Sequence, residues 1–182
     1  MPERIRQSGW LLRLAAWLPP CFALWYWMAH LPDPVDAAAA LVVVNFLANG
    51  VVSQVETASD VITFVTQIAV GAGVMTVDVD TRIYSYGLPL GLAVMLASRP
   101  EGLAWKVPLL VAAQLAIVVW GASFDLLAHL VRSAPEWTAA RLGQTGAMLV
   151  AVAYQFASLV FPALVPTALA VGLSWERLRQ GI

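Results

Sequence analysis

Asp125 and His129 lie four residues apart in Phe124-Asp125-Leu126-Leu127-Ala128-His129. On a helix that spacing puts both side chains on one face. A carboxylate and an imidazole so paired can move a proton, anchor a polar group of a partner, or satisfy one another. The residues around them are almost all apolar. A carboxylate at the centre of a bilayer costs about 2.5–3.5 kcal/mol on insertion scales, so Asp125 must face protein or water. The bland reading is a carboxylate held by its helical neighbour His129 or by Arg132.

His30 is the other histidine of the chain. Together with His129 and Asp125 it would complete a ligand set of two histidines and one carboxylate, although nothing in the spacing requires the three to meet. Cys21, the single cysteine, stands in an apolar run beside Pro20 with no base at its level. A nucleophilic thiol needs such a neighbour, so Cys21 reads as a small apolar filler. The chain carries no Gly-x-Ser-x-Gly, His-Glu-x-x-His or P-loop pattern. These residues therefore give no catalytic constellation, no cofactor site and no metal site.

The elements that must position these groups follow from composition. Of 182 residues, 60% are hydrophobic and 12% charged, against roughly 25% charged in an ordinary soluble domain. Ten Lys and Arg against eleven Asp and Glu leave a net charge of −1. This excludes a soluble enzyme, a disordered chain and a nucleic-acid binder. The apolar residues come in blocks, and a helix needs roughly 20 of them to cross a bilayer. The expectation is a mainly α membrane protein of about four transmembrane helices over residues 10–31, 84–98, 107–131 and 146–173. The first reads as a retained anchor kinked at Pro19-Pro20 rather than a cleaved signal peptide. The second is short and needs bilayer thinning or Tyr anchoring.

Residues 33–86 form an insert. Asp33 as N-cap and Pro34 as first helical residue start a helix over Pro34–Val52, whose Asn45, Asn49 and Gly50 weaken it as a full crossing. Val61–Val70 is rich in β-branched residues, and Val74–Tyr84 alternates Met75, Val77, Val79, Ile83 against Thr76, Asp78, Asp80, Arg82. That is strand periodicity on both sides of Gly71-Ala72-Gly73, hence a β-hairpin. Basic residues choose the side. With four spans Arg4, Arg6, Arg13, Arg99, Lys106, Arg177 and Arg179 are cytoplasmic against Arg82, Arg132 and Arg141, seven to three. A fifth crossing at Pro34–Val52 changes this to six against four. Four spans with both termini cytoplasmic also put Trp10, Trp105 and Trp175 at one interface, and Trp25, Tyr26, Trp27, Tyr84, Tyr86 and Trp137 toward the other. The helix and hairpin then form an acidic extracytoplasmic cap bearing Glu56, Asp60, Asp78 and Asp80.

Gly87-x-x-x-Gly91 has the spacing that lets membrane helices approach closely. Its surroundings, Tyr84-Ser85-Tyr86-Gly87-Leu88-Pro89-Leu90, join Cys21-Phe22-Ala23-Leu24-Trp25-Tyr26 and a last span with Tyr154-Gln155, Phe161-Pro162 and Pro166. In this order, with the strand-rich insert before Tyr84, they resemble the exosortase H-associated membrane proteins of Gram-negative bacteria over most of the chain. The resemblance implies an inner-membrane accessory protein that works beside an exosortase, an intramembrane thiol transpeptidase acting on C-terminal sorting tails. It supplies no catalytic residues.

The expected function is a non-enzymatic subunit packed against a partner membrane protein, with a periplasmic cap contacting partner or substrate. Tyr84, Tyr86, Gly87, Pro89 and Gly91 are the expected contact residues, with Asp125 and His129 as a polar anchor. Two alternatives stay open: a small membrane enzyme or transporter-like protein handling a proton or metal through Asp125 and His129, and a structural subunit of another large membrane complex.

Overall fold

The computed structural model describes residues 2–28, 34–58, 61–70 and 73–179. The chain opens with a long helix, α1 (Pro2–Met28), which continues through Pro19 and Pro20. A shorter one, α2 (Pro34–Leu47), leads into strands β1 (Val52–Ala58), β2 (Val61–Val70) and β3 (Gly73–Asp80). A helical turn, α3 (Arg82–Ser85), precedes α4 (Gly87–Ser98) and the 31-residue α5 (Leu103–Ser133). The rest is α6 (Pro135–Arg141), α7 (Gly143–Gln155), a π-turn at Phe156–Val160, α8 (Phe161–Leu173) and α9 (Trp175–Arg179). Among the described residues two helical stretches are long and apolar enough to cross a membrane, Leu103–Ser133 and Gly143–Leu173.

Helix α4 packs against α1, α5 and α8, and α5 carries α2, α6, α7 and the edge of the sheet as well. Two indole bonds hold α1 antiparallel to α4: Trp10 Nε1 donates to Ser98 Oγ (3.2 Å) and Trp25 Nε1 to Ser85 Oγ (3.0 Å). At the α4–α5 corner Arg99 takes a left-handed conformation (φ 47°) and its N–H closes on Met95 O. Lys106 Nζ donates to Leu173 O (2.7 Å), so the start of α5 meets the end of α8.

The π-turn has a local cause. Pro162 has no N–H for the usual i→i−4 rung to Ser158, and Phe161 N–H reaches back to Phe156 O instead. Ser158 Oγ, inside the π-turn, donates back to the Tyr154 carbonyl at 3.0 Å.

The cap differs from the expected two-stranded hairpin. It is a three-stranded antiparallel sheet in the order β1-β2-β3. Val52-Ser53-Gln54-Val55 lacks strand alternation because β1 carries a register shift between Val52 and Gln54. A bulge absorbs one residue, so Val52 and Val55 both turn inward despite their three-residue spacing. Strand β3 ends at Asp80 rather than Tyr84. The Asp80 carboxylate accepts from Arg82 N (2.9 Å) and pairs with the Arg82 guanidinium (2.9 Å), turning the chain into α3. Gly71-Ala72 and Asp60 lie outside the described residues.

One face of the sheet is apolar and joins the core: Ile62, Phe64, Val77 and Val79 share a cluster with Ala37, Ala40 and Val44 of α2 and Val118, Ala122 and Leu126 of α5. The other face carries Glu56, Thr63 and Asp78 in one cross-strand row, with Thr63 Oγ1 donating to Asp78 Oδ1 (2.7 Å).

Candidate functional site

Tyr84 sits where the cap meets the helices. The Asp80–Arg82 turn delivers it from the end of β3 onto one stripe of α5, formed by Gln114, Gly121 and Asp125. Those positions are spaced i, i+7, i+11, a repeat that keeps them on one helix face. Gln114 Nε2 donates to the Tyr84 carbonyl at 2.5 Å. The phenol ring lies against Gly121, where a Cβ would stand 2.3 Å from the nearest ring carbons. Tyr84 has 0% of its surface exposed.

At the far end of the stripe the buried Tyr84 Oη faces the Asp125 carboxylate. Gln114 Oε1 is buried without a hydrogen-bond partner among the described residues. Buried polar atoms without partners are uncommon and costly. Asp125 is 5% exposed. Its carboxylate lies 3.2 Å from His129 Nδ1, whose better-placed contact is the Asp125 carbonyl at 3.0 Å. Arg132 turns away, donating from Nε to Ala128 O (3.1 Å). The His129 side chain is 40% exposed, so an imidazole links a buried carboxylate and phenol to the surroundings. That arrangement can carry a proton between the interior and the exterior, or accept a polar group from outside.

The residues expected to meet a partner are placed as follows. Tyr84, Gly87, Pro89 and Gly91 are buried within the chain itself, while Tyr86 is half-buried. The glycine face of α4 is filled by α8. A Cβ on Gly87 would fall 1.4 Å from Pro162 O, and one on Gly91 would fall 3.0 Å from Pro166 O and from Leu110. Pro166 cannot donate to Pro162 O along the helix, which leaves that carbonyl turned toward Gly87. Asp125 and His129 are brought together with Tyr84; His30 lies outside the described residues. Among the described residues no three His, Cys, Asp or Glu side chains gather to hold a metal ion. Cys21 is buried.

Sequence reasoning missed Gln114, Gly121 and Tyr154. The first two had a readable signal, since they fall on the same helical stripe as Asp125. Tyr154 was noted as part of the resemblance but not as a neighbour of the Tyr84–Asp125 pair, since it lies on a different helix.

Two helical stretches long and apolar enough to cross a membrane, joined to a small sheet by a buried polar seam, fit a membrane protein. The chain belongs to the exosortase H-associated membrane protein family, whose model matches residues 5–177 of 182. No curated protein and no solved structure matches it.

Proposed function

We propose that this protein is a non-enzymatic accessory subunit of the bacterial inner membrane that packs against an exosortase-type partner. The observation that carries the reading is the family match along almost the whole chain, which bears the association with exosortase. In this reading α1, α3 with α4, α5, and α7 with α8 cross the membrane, and both termini are cytoplasmic. The sheet stands on the periplasmic side, where partner and sorting tail meet. Support comes from the two ends of the bundle. Lys106, Trp105 and Trp175 gather near the Lys106–Leu173 contact, and Trp25 sits at the opposite end beside Ser85. Charged and aromatic residues concentrate in this way at membrane interfaces.

The role in processing is testable in a host that carries the exosortase. Removing this chain impairs cleavage of the C-terminal sorting tail, and the purified chain alone leaves the tail intact. Full processing in its absence overturns the reading.

A second reading rests on one observation, the buried Tyr84 phenol and Asp125 carboxylate facing one another beside His129. A proton-handling membrane enzyme or transporter would use that trio, and it predicts loss of an activity with assembly intact.

A further inference from the structure

We propose that α2 is a membrane-embedded half-helix, entering the hydrocarbon layer beside α5 without crossing it, with lipid acyl chains covering its outward stripe.

The stripe is Val35, Ala38, Val42 and Phe46, spaced as one helix face. All four are exposed, Val42 at 68% and Phe46 at 84%. The opposite face, Ala37, Ala40 and Val44, is buried. The one charged residue of α2, Asp36, is 3% exposed. A helix apolar on all sides belongs in a core or a membrane. At 14 residues, or roughly 21 Å, α2 is too short to cross a hydrocarbon layer of about 30 Å.

Helix α2 packs directly against α5. The buried face shares one cluster with Val118 and Ala122 of α5 and with Val150 and Ala157. Counted from Lys106 at the end of the bundle, Val118 and Ala122 lie about 18 and 24 Å along the helix, within the thickness of the hydrocarbon layer. The stripe also follows the exposed end of α1, where Leu24, Tyr26, Trp27 and Met28 face outward. Trp and Tyr with apolar neighbours are the residues that line a membrane interface.

A helix that ends inside lipid must satisfy its terminal backbone groups internally, and at the C-terminal end of α2 the Val44 carbonyl accepts from Ala48 N (2.8 Å) and the Asn45 carbonyl from Gly50 N (2.9 Å). The chain leaves through left-handed Asn49 (φ 50°) and Gly50 (φ 76°). The Val51 carbonyl accepts from Gln67 N (2.8 Å). The Asn45 side chain clamps both sides of Val52, donating from Nδ2 to its carbonyl (3.2 Å) and accepting its N–H at Oδ1 (3.0 Å). Asn45 and Asn49, which weakened this segment as a crossing, are the residues that let it turn back.

Spin labels test the proposal on the full chain, with Cys21→Ala as background, reconstituted in phosphatidylcholine–phosphatidylglycerol vesicles. Labels on Val42→Cys and Phe46→Cys are expected to collide with oxygen several-fold more than with a water-soluble nickel chelate. A label on Thr76→Cys, exposed on the polar side of the sheet, shows the reverse. Nickel accessibility at 42 and 46 matching that at 76 places the stripe in water and overturns the proposal. Inaccessibility to both reagents with spin–spin broadening shows a second copy covering the stripe, and overturns it equally. No partner is needed, so the outcome is independent of the exosortase association.

Discussion

The ring of Tyr84 occupies the space that a side chain at Gly121 would fill, with the nearest ring carbons 2.3 Å from where a Cβ would be. This contact joins the sheet, through the Asp80–Arg82 turn, to the helix that carries Asp125. Its consequence for stability is direct. Gly121→Ala forces the ring or the α5 backbone to shift, and overpacking of this kind costs about 1–3 kcal/mol. Thermal unfolding in detergent is expected to show a lowered transition for Gly121→Ala and a smaller change for Tyr84→Phe, which keeps the ring and removes only the hydroxyl facing Asp125. Equal stability of Gly121→Ala and the natural chain would show that the contact is not close.

The three helix glycines Gly87, Gly91 and Gly172 separate close approach from helix propensity. Gly87→Ala meets the backbone oxygen of Pro162 at 1.4 Å and is the most damaging, at or above the upper end of about 1–3 kcal/mol. Gly91→Ala meets its neighbours at 3.0 Å and costs less. Gly172→Ala meets nothing within 4 Å and gains up to about 1 kcal/mol of helix propensity. The ranking is read from the three melting temperatures, and a Gly87→Ala protein as stable as Gly172→Ala contradicts the α4–α8 packing.

Asp125→Asn distinguishes the two functional readings. The amide retains an acceptor and the size of the carboxylate. An accessory subunit is therefore expected to keep its partner and to support tail processing at near-normal levels. Loss of processing with the complex intact favours the proton-handling reading.

Much of this architecture was legible in the residues. The apolar blocks gave the helices, and the alternation of Met75, Val77 and Val79 gave a strand whose inner face does join the core. What escaped were places where one residue changes phase. The bulge after Val52 hid β1 by turning an even spacing into an odd one, and the Asp80–Arg82 bonds ended β3 before Tyr84. The site was half legible. Asp125 and His129 were found because they lie one turn apart on the same helix. Tyr84 entered as a partner contact, and its meeting with Asp125 depends on a turn between distant segments that local periodicity does not encode. Gly87 and Gly91 had the spacing of a close-packing motif, and α8 of the same chain fills it.

The orientation of the cap gives another expected outcome. Thr76→Cys, on the Cys21→Ala background, is labelled by a membrane-impermeant maleimide in intact spheroplasts if the sheet is periplasmic. Labelling only after the inner membrane is permeabilised puts the sheet in the cytoplasm and favours the five-span arrangement.

The central claim is that this chain is a subunit with a resident partner. Affinity purification of the tagged full chain from its native membranes in mild detergent tests it most directly. The exosortase is expected to co-elute in fixed ratio through a subsequent sizing step; a chain that elutes alone, monodisperse and itself active on the sorting tail overturns the subunit reading.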